Sequence, residues 1–100
     1  MASIFTKIIQ GEIPCEKIIE TDSEIAFLDI MPCAEGHTLV IPKLEVKRLE
    51  DLPESEALSL MRTMQHVAKA VSTAFDGIDY NLILNNGVNA GQEVEHVHFH

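Results

Sequence analysis

One hundred residues, 46% of them hydrophobic at a mean hydropathy of +0.09, make one domain with enough apolar content for a core, which excludes two domains and global disorder. Sixteen acids against seven bases, a formal charge of -9, argue against general affinity for nucleic-acid backbone or anionic membrane, while leaving room for one phosphorylated small molecule in a local pocket. Cys15 and Cys33 lack C-x-x-C spacing, the opening residues do not read as a secretory signal, and no apolar run approaches the ~20 residues of a membrane span, so a cytoplasmic protein with reduced thiols is expected.

Ile4, Phe5, Ile8 and Ile9 have the spacing of a short amphipathic helix, with Ser3 as N-cap and Gly11 as stop. Lys17 to Thr21 and Glu24 to Asp29 are β-rich runs around a Thr21-Asp22-Ser23 turn, and read as a hairpin. Met31 to Gly36 reads as a loop, and His37 to Ile41 as a third strand closed by Pro42. Asp51 and Glu54 have capping-box spacing for a helix running to about Phe75. Ala57, Met61, Met64, Ala68, Val71 and Phe75 form its apolar stripe, and Leu60, Val67 and Ala74 a second edge, an arc wide enough for a sheet and a dimer partner. Tyr80 to Leu84 and Glu93 to His100 complete five strands, separated by the glycine-bearing Asn85 to Gly91 loop. The expectation is an α+β domain: an antiparallel five-stranded sheet, one long helix and a short N-terminal helix.

The last residues carry the chemistry. Strand alternation puts His96, His98 and His100 on one face, with Val97 and Phe99 toward the core. Three uses compete: a metal held by imidazoles two residues apart, nucleophilic attack by a neutral imidazole on phosphorus with its neighbours moving protons, or a solvated histidine face. The preceding Asn85-Asn86-Gly87 and Ala90-Gly91-Gln92 shift the balance to phosphate, because such a loop presents backbone N–H groups. Glu93 and Glu95 are the nearby carboxylates that are candidates to complete a metal shell, Glu95 the weaker of them. Glu95 faces with Val97 by parity.

His96-Val97-His98-Phe99-His100 resembles the H-Φ-H-Φ-H core of the histidine triad (HIT) family. Ser3 to Pro14, Ala26 to Ile30, His37 to Lys43 and Gly91 to His100 stand where that family has its matching segments, most similar to its nucleotide-binding, purine nucleoside phosphoramidase-like branch. The resemblance implies a nucleotidyl hydrolase or transferase acting at a nucleotide's α-phosphorus on a nucleoside phosphoramidate or adenylate. A non-catalytic purine nucleotide-binding module and a dinucleoside polyphosphate hydrolase are its alternatives.

In that reading His98 is the nucleophile and forms a nucleotidyl-imidazole, its ring oriented by the main-chain carbonyl of His96. His96 and His100 contact phosphate and handle protons, and His37 is a fourth histidine nearby. Asp29 accepts from the ribose hydroxyls. Phe5, Ile8, Phe27 and Ile30 form the base pocket, and Asn85, Gly91, Gln92 and Glu93 lie at the phosphate.

A homodimer is implied. Many family members carry a zinc site with C-x-x-C in the opening helix; Ser3 and Thr6 stand there, and Glu45 replaces a further histidine, so neither structural zinc nor any other cofactor is expected. Glu93 replaces a serine found in some members, and Glu95 an apolar residue. Family members also continue past the third histidine, so a single domain over residues 1–100, shortened at its C-terminal end, is expected.

Overall fold

The computed structural model describes residues 2–30 and 36–100. Most of the expected Met31 to Gly36 loop, with Cys33, lies outside them. Helix α1 spans Ile4–Ile9. Its N-cap is Ser3, whose Oγ accepts the Thr6 N–H at 3.0 Å, and Gly11 follows at φ 82°.

Strands β1 (Lys17–Glu20), β2 (Glu24–Leu28) and β3 (Thr38–Pro42) form an antiparallel sheet in that order. Its two faces follow the period-2 rule. Ala26 and Val40 face helix α2 (Glu54–Ala74), where they meet Leu52, Leu60, Met64 and Val67. Ile25, Phe27, Leu39 and Ile41 face α1, where Phe5 joins them.

Two expectations are corrected. Among the described residues the sheet has three strands, not five. Tyr80 to Leu84 and Glu93 to His100 are tied in only through isolated antiparallel bridges of Phe99 with Val40 and with Leu84. In the second of these runs the chain bends: His96 N–H turns back to the Val94 carbonyl and Val97 N–H goes to the Val46 carbonyl. Only the end of the run is then extended enough to pair.

The expected cap of α2 is also absent. Asp51 closes a short 3-10 turn (Leu49–Asp51), and Pro53 takes the N-cap position with no side-chain bond. Pro53 fits there because its fixed φ suits a helix start and its missing N–H would be unsatisfied anyway. The buried face of α2 is Leu60, Thr63, Met64 and Val67, while Met61 of the expected stripe is 49% exposed.

Candidate active site

Phe99 fixes the geometry. It exchanges both backbone hydrogen bonds with Val40 and packs on the α2 side of the sheet. Alternation then sends His98 to the α1 side, where its ring meets Phe5 at 4.8 Å in an edge-on contact. His98 Nδ1 lies 2.7 Å from the His96 carbonyl oxygen. A carbonyl only accepts, so the proton sits on Nδ1 and neutral His98 carries its lone pair on Nε2. Among the described residues that Nε2 makes no hydrogen bond. The His100 ring stands 5.0 Å from the His98 ring.

His96 is fully buried with both nitrogens engaged. Nε2–H donates to the Pro42 carbonyl at 2.8 Å, which leaves Nδ1 to accept from the Ser3 hydroxyl at 2.7 Å. Burial pushes its pKa down, against weaker opposing effects of the Pro42 hydrogen bond and the Glu45 charge. A direct contact of His96 with phosphate, expected from the resemblance, would cost it one of these two bonds.

Ser3 itself is tied to Glu45. Glu45 Oε1 accepts from the Ser3 N–H at 2.8 Å and from the Thr6 hydroxyl. These backbone and hydroxyl donors, Ser3 first, hold the Glu45 carboxyl below its ordinary value. Two hydroxyls, one carboxylate and a doubly bonded histidine do not make a thiolate zinc set.

On the other side of the triad, His37 Nε2 lies 2.9 Å from His100 Nδ1, and His37 Nδ1 lies 3.6 Å from Asp29 Oδ2. Burial, then the neighbouring His98 and His37, push the pKa of His100 down. Asp29, His37 and His100 bring one ligand atom each to within 4.8 Å of one another, so they are the group of described residues that could take a metal ion.

The remaining expected site residues divide. Phe5 and Phe27 are buried in one apolar cluster against which Ile8 packs. Ile30 is 88% exposed. Asn85 is half-buried beside Gly91, whose φ of 92° suits a glycine; a Cβ there would lie 3.9 Å from the Asn85 carboxamide carbon. Gln92 is buried and committed to the loop: its oxygen accepts the Gly87 N–H at 2.7 Å, and its amide donates to the carbonyls of Lys47 and Val94. Glu93 is exposed.

The sequence marks Ser3 as a cap and as a replaced cysteine, and Glu45 as a replaced histidine, without joining either to His96. The serine-to-threonine spacing was a local signal, but nothing local joins residue 45 to residue 3 or residue 3 to residue 96.

The HIT domain family model matches residues 10–100. The chain is 48% identical over 99 residues to an adenosine 5'-monophosphoramidase of Saccharomyces cerevisiae, covering 99% of this chain and 60% of that protein. It is 39% identical over 97 residues to an adenylylsulfatase of Arabidopsis thaliana, covering 97% of this chain and 49% of that protein. The crystal structure of a HIT family member from Bacillus subtilis superposes with a TM-score of 0.95 at 39% identity, over 100% of this chain and 71% of that one. The chain thus spans less than two thirds of either curated relative's length.

Proposed function

The chain belongs to the HIT family, and from that premise we propose that it is a nucleotide hydrolase that cleaves a bond at the α-phosphorus of a nucleoside phosphoramidate or adenylate through His98. The observation that carries this reading is the His98 Nδ1–His96 carbonyl hydrogen bond at 2.7 Å, which leaves Nε2 as the bare nitrogen. The names of the yeast and plant relatives, a monophosphoramidase and an adenylylsulfatase, support the substrate class.

In this reading the Nε2 lone pair forms a bond to the α-phosphorus as the bond from phosphorus to the leaving group breaks. The leaving amine or oxyanion takes a proton delivered through His100, which His37 backs at 2.9 Å. Water then attacks the nucleotidyl-imidazole, gives up a proton to the same pair, and releases a nucleoside monophosphate with His98 restored. His96 orients rather than touches substrate.

Asp29 accepts from the ribose hydroxyls, with Phe5, Ile8, Phe27 and Ile30 on the base side. Asn85, Gly91 and Glu93 border the phosphate, and Gln92 holds that loop in shape. No step needs a metal. We also propose a homodimer, supported by Leu58 and Met61 on α2, and Tyr80 and Leu82, all about half or more exposed.

The test is turnover of a fluorogenic adenosine phosphoramidate in EDTA by this chain and by His98→Ala. Turnover lost with His98, fold intact, is the expected result. Equal turnover by the variant would sink the nucleophile assignment. No turnover by either, with calorimetric binding of adenosine monophosphate, would favour the non-catalytic binding module.

A further inference from the structure

The cluster at the N-cap of α1 touches none of the atoms that react, yet it ends on the residue that orients His98. Glu45 is exposed, and its Oε1 collects two donors from one helical turn: the Ser3 N–H at 2.8 Å and the Thr6 hydroxyl. That fixes the Ser3 backbone. The Ser3 Oγ already accepts the Thr6 N–H at 3.0 Å, and its single hydrogen has two possible acceptors. His96 Nδ1 lies at 2.7 Å and Thr6 Oγ1 at 3.4 Å, so the hydrogen goes to His96. His96 is thereby held in the tautomer whose Nε2–H donates to Pro42 at 2.8 Å. Its ring is pinned at both ends, and its main-chain carbonyl is held where His98 Nδ1–H needs an acceptor.

We propose that Glu45 is a positioning residue for His98, acting through Ser3 and His96: it sets the cap whose hydroxyl pins the first histidine, and so fixes which nitrogen of the second one is bare. This rests on the reading of His98 as nucleophile for its kinetic consequence, but not for its structural one. The alternative is that Ser3, Thr6 and Glu45 merely stabilise the end of a short helix. In that case their loss would cost stability and leave the His98 ring as it is.

The two are separated by the imidazole nitrogens themselves. Histidine labelled with nitrogen-15 reports, ring by ring, which nitrogen carries the proton. His98 should have a protonated Nδ1 and a bare Nε2 in the unaltered chain. Glu45→Ala and Ser3→Ala should each mix the tautomers at His98 and lower kcat about tenfold, with KM changed by less than about twofold. Glu45→Gln keeps an acceptor oxygen and Ser3→Thr keeps a donor hydroxyl, so both should restore the tautomer and the rate.

Glu45 is exposed, so Glu45→Ala tests the proposal even where Ser3→Ala fails to fold. A His98 tautomer unchanged in Glu45→Ala overturns the proposal. So does failure of Glu45→Gln to restore it. The nitrogen shifts are read without substrate, so an absence of turnover in the unaltered chain overturns the hydrolase reading alone.

Discussion

The imidazole of His98 donates from Nδ1 to the carbonyl of His96, two residues earlier on the same chain, at 2.7 Å. In a continuous strand that carbonyl would face a neighbouring strand's N–H. Here the chain bends at Val94 to His96, and among the described residues no backbone N–H claims it. The bend that costs the sheet a full strand is the feature that frees the acceptor.

Asp29 lies 3.6 Å from His37, one end of the pair that reaches His100. If it also accepts from the ribose, Asp29→Asn should raise the Kd for adenosine monophosphate about tenfold, the cost of weakening a charged hydrogen bond. Titration calorimetry measures this. An unchanged Kd would remove Asp29 from the binding site.

The two sides of the sheet should separate stability from catalysis. Leu60→Ala, in the α2 core, should cost about 2–5 kcal/mol of unfolding free energy with kcat and KM unchanged. Phe5 packs against His98 at 4.8 Å, so Phe5→Ala should cost about 3–5 kcal/mol and also lower kcat. Urea unfolding and steady-state kinetics on both variants check this. A kinetic defect in Leu60→Ala equal to that in Phe5→Ala would contradict it.

Glu24 is fully buried, and one oxygen accepts hydroxyls from Thr21, Ser59 and Thr63 at 3.1, 3.0 and 2.7 Å. Its other oxygen is buried with no partner among the described residues. It ties β2 to α2. Glu24→Ala leaves the buried Thr63 hydroxyl without its acceptor and removes the tie to Ser59, and should destabilise by about 2–4 kcal/mol in urea unfolding. A change below about 0.5 kcal/mol, the range of an ordinary surface substitution, would contradict that role.

Burial holds the pKa of His96 and of His100 below the ordinary histidine value. Between the folded values and about 6.5 the unfolded chain binds more protons than the folded one, so stability rises with pH across that window. Unfolding free energy should therefore fall on acidification from pH 7.5 toward pH 5.5 on the order of this histidine window. The Lys17 and Lys43 ammoniums hold Glu20 at about 2, and Asn86 and Arg48 hold Glu50 at about 2. Their stabilising effect is complete above the ordinary carboxylate value and is lost only at more acid pH. A flat or rising stability between pH 7.5 and 5.5, roughly the histidine range, would contradict the assignment.

Much of the architecture was legible because it is local. The Ser3 cap, the hairpin, β3 and the body of α2 each follow from a periodicity with a stop residue beside it. Alternation also placed His98 and Phe99 on opposite faces correctly, because that part of the chain is extended.

What was not legible depends on residues far apart. The bend at Val94 to His96 is set with a carbonyl of residue 46, whereas the alternation of Glu93 to His100 by itself reads as a continuous strand. Asp51 has the spacing of a cap, but Pro53 starts the helix two residues later. Glu24 looked like an ordinary strand end. Its burial is decided by hydroxyls on α2, 35 and 39 residues away. Glu45 is 42 residues from the Ser3 it holds, and Ser3 is 93 from His96.

The proposed mechanism turns on a transient bond between phosphorus and His98 Nε2. Rapid acid-free quenching of a single turnover, followed by intact-mass and peptide-mapping mass spectrometry, looks for it directly. The expected result is a transient nucleotidyl adduct that maps to His98, rises before the nucleoside monophosphate appears, and is absent from His98→Ala. Product formed in the unaltered chain with no adduct at any time, or with the adduct on His96 or His100, would contradict it.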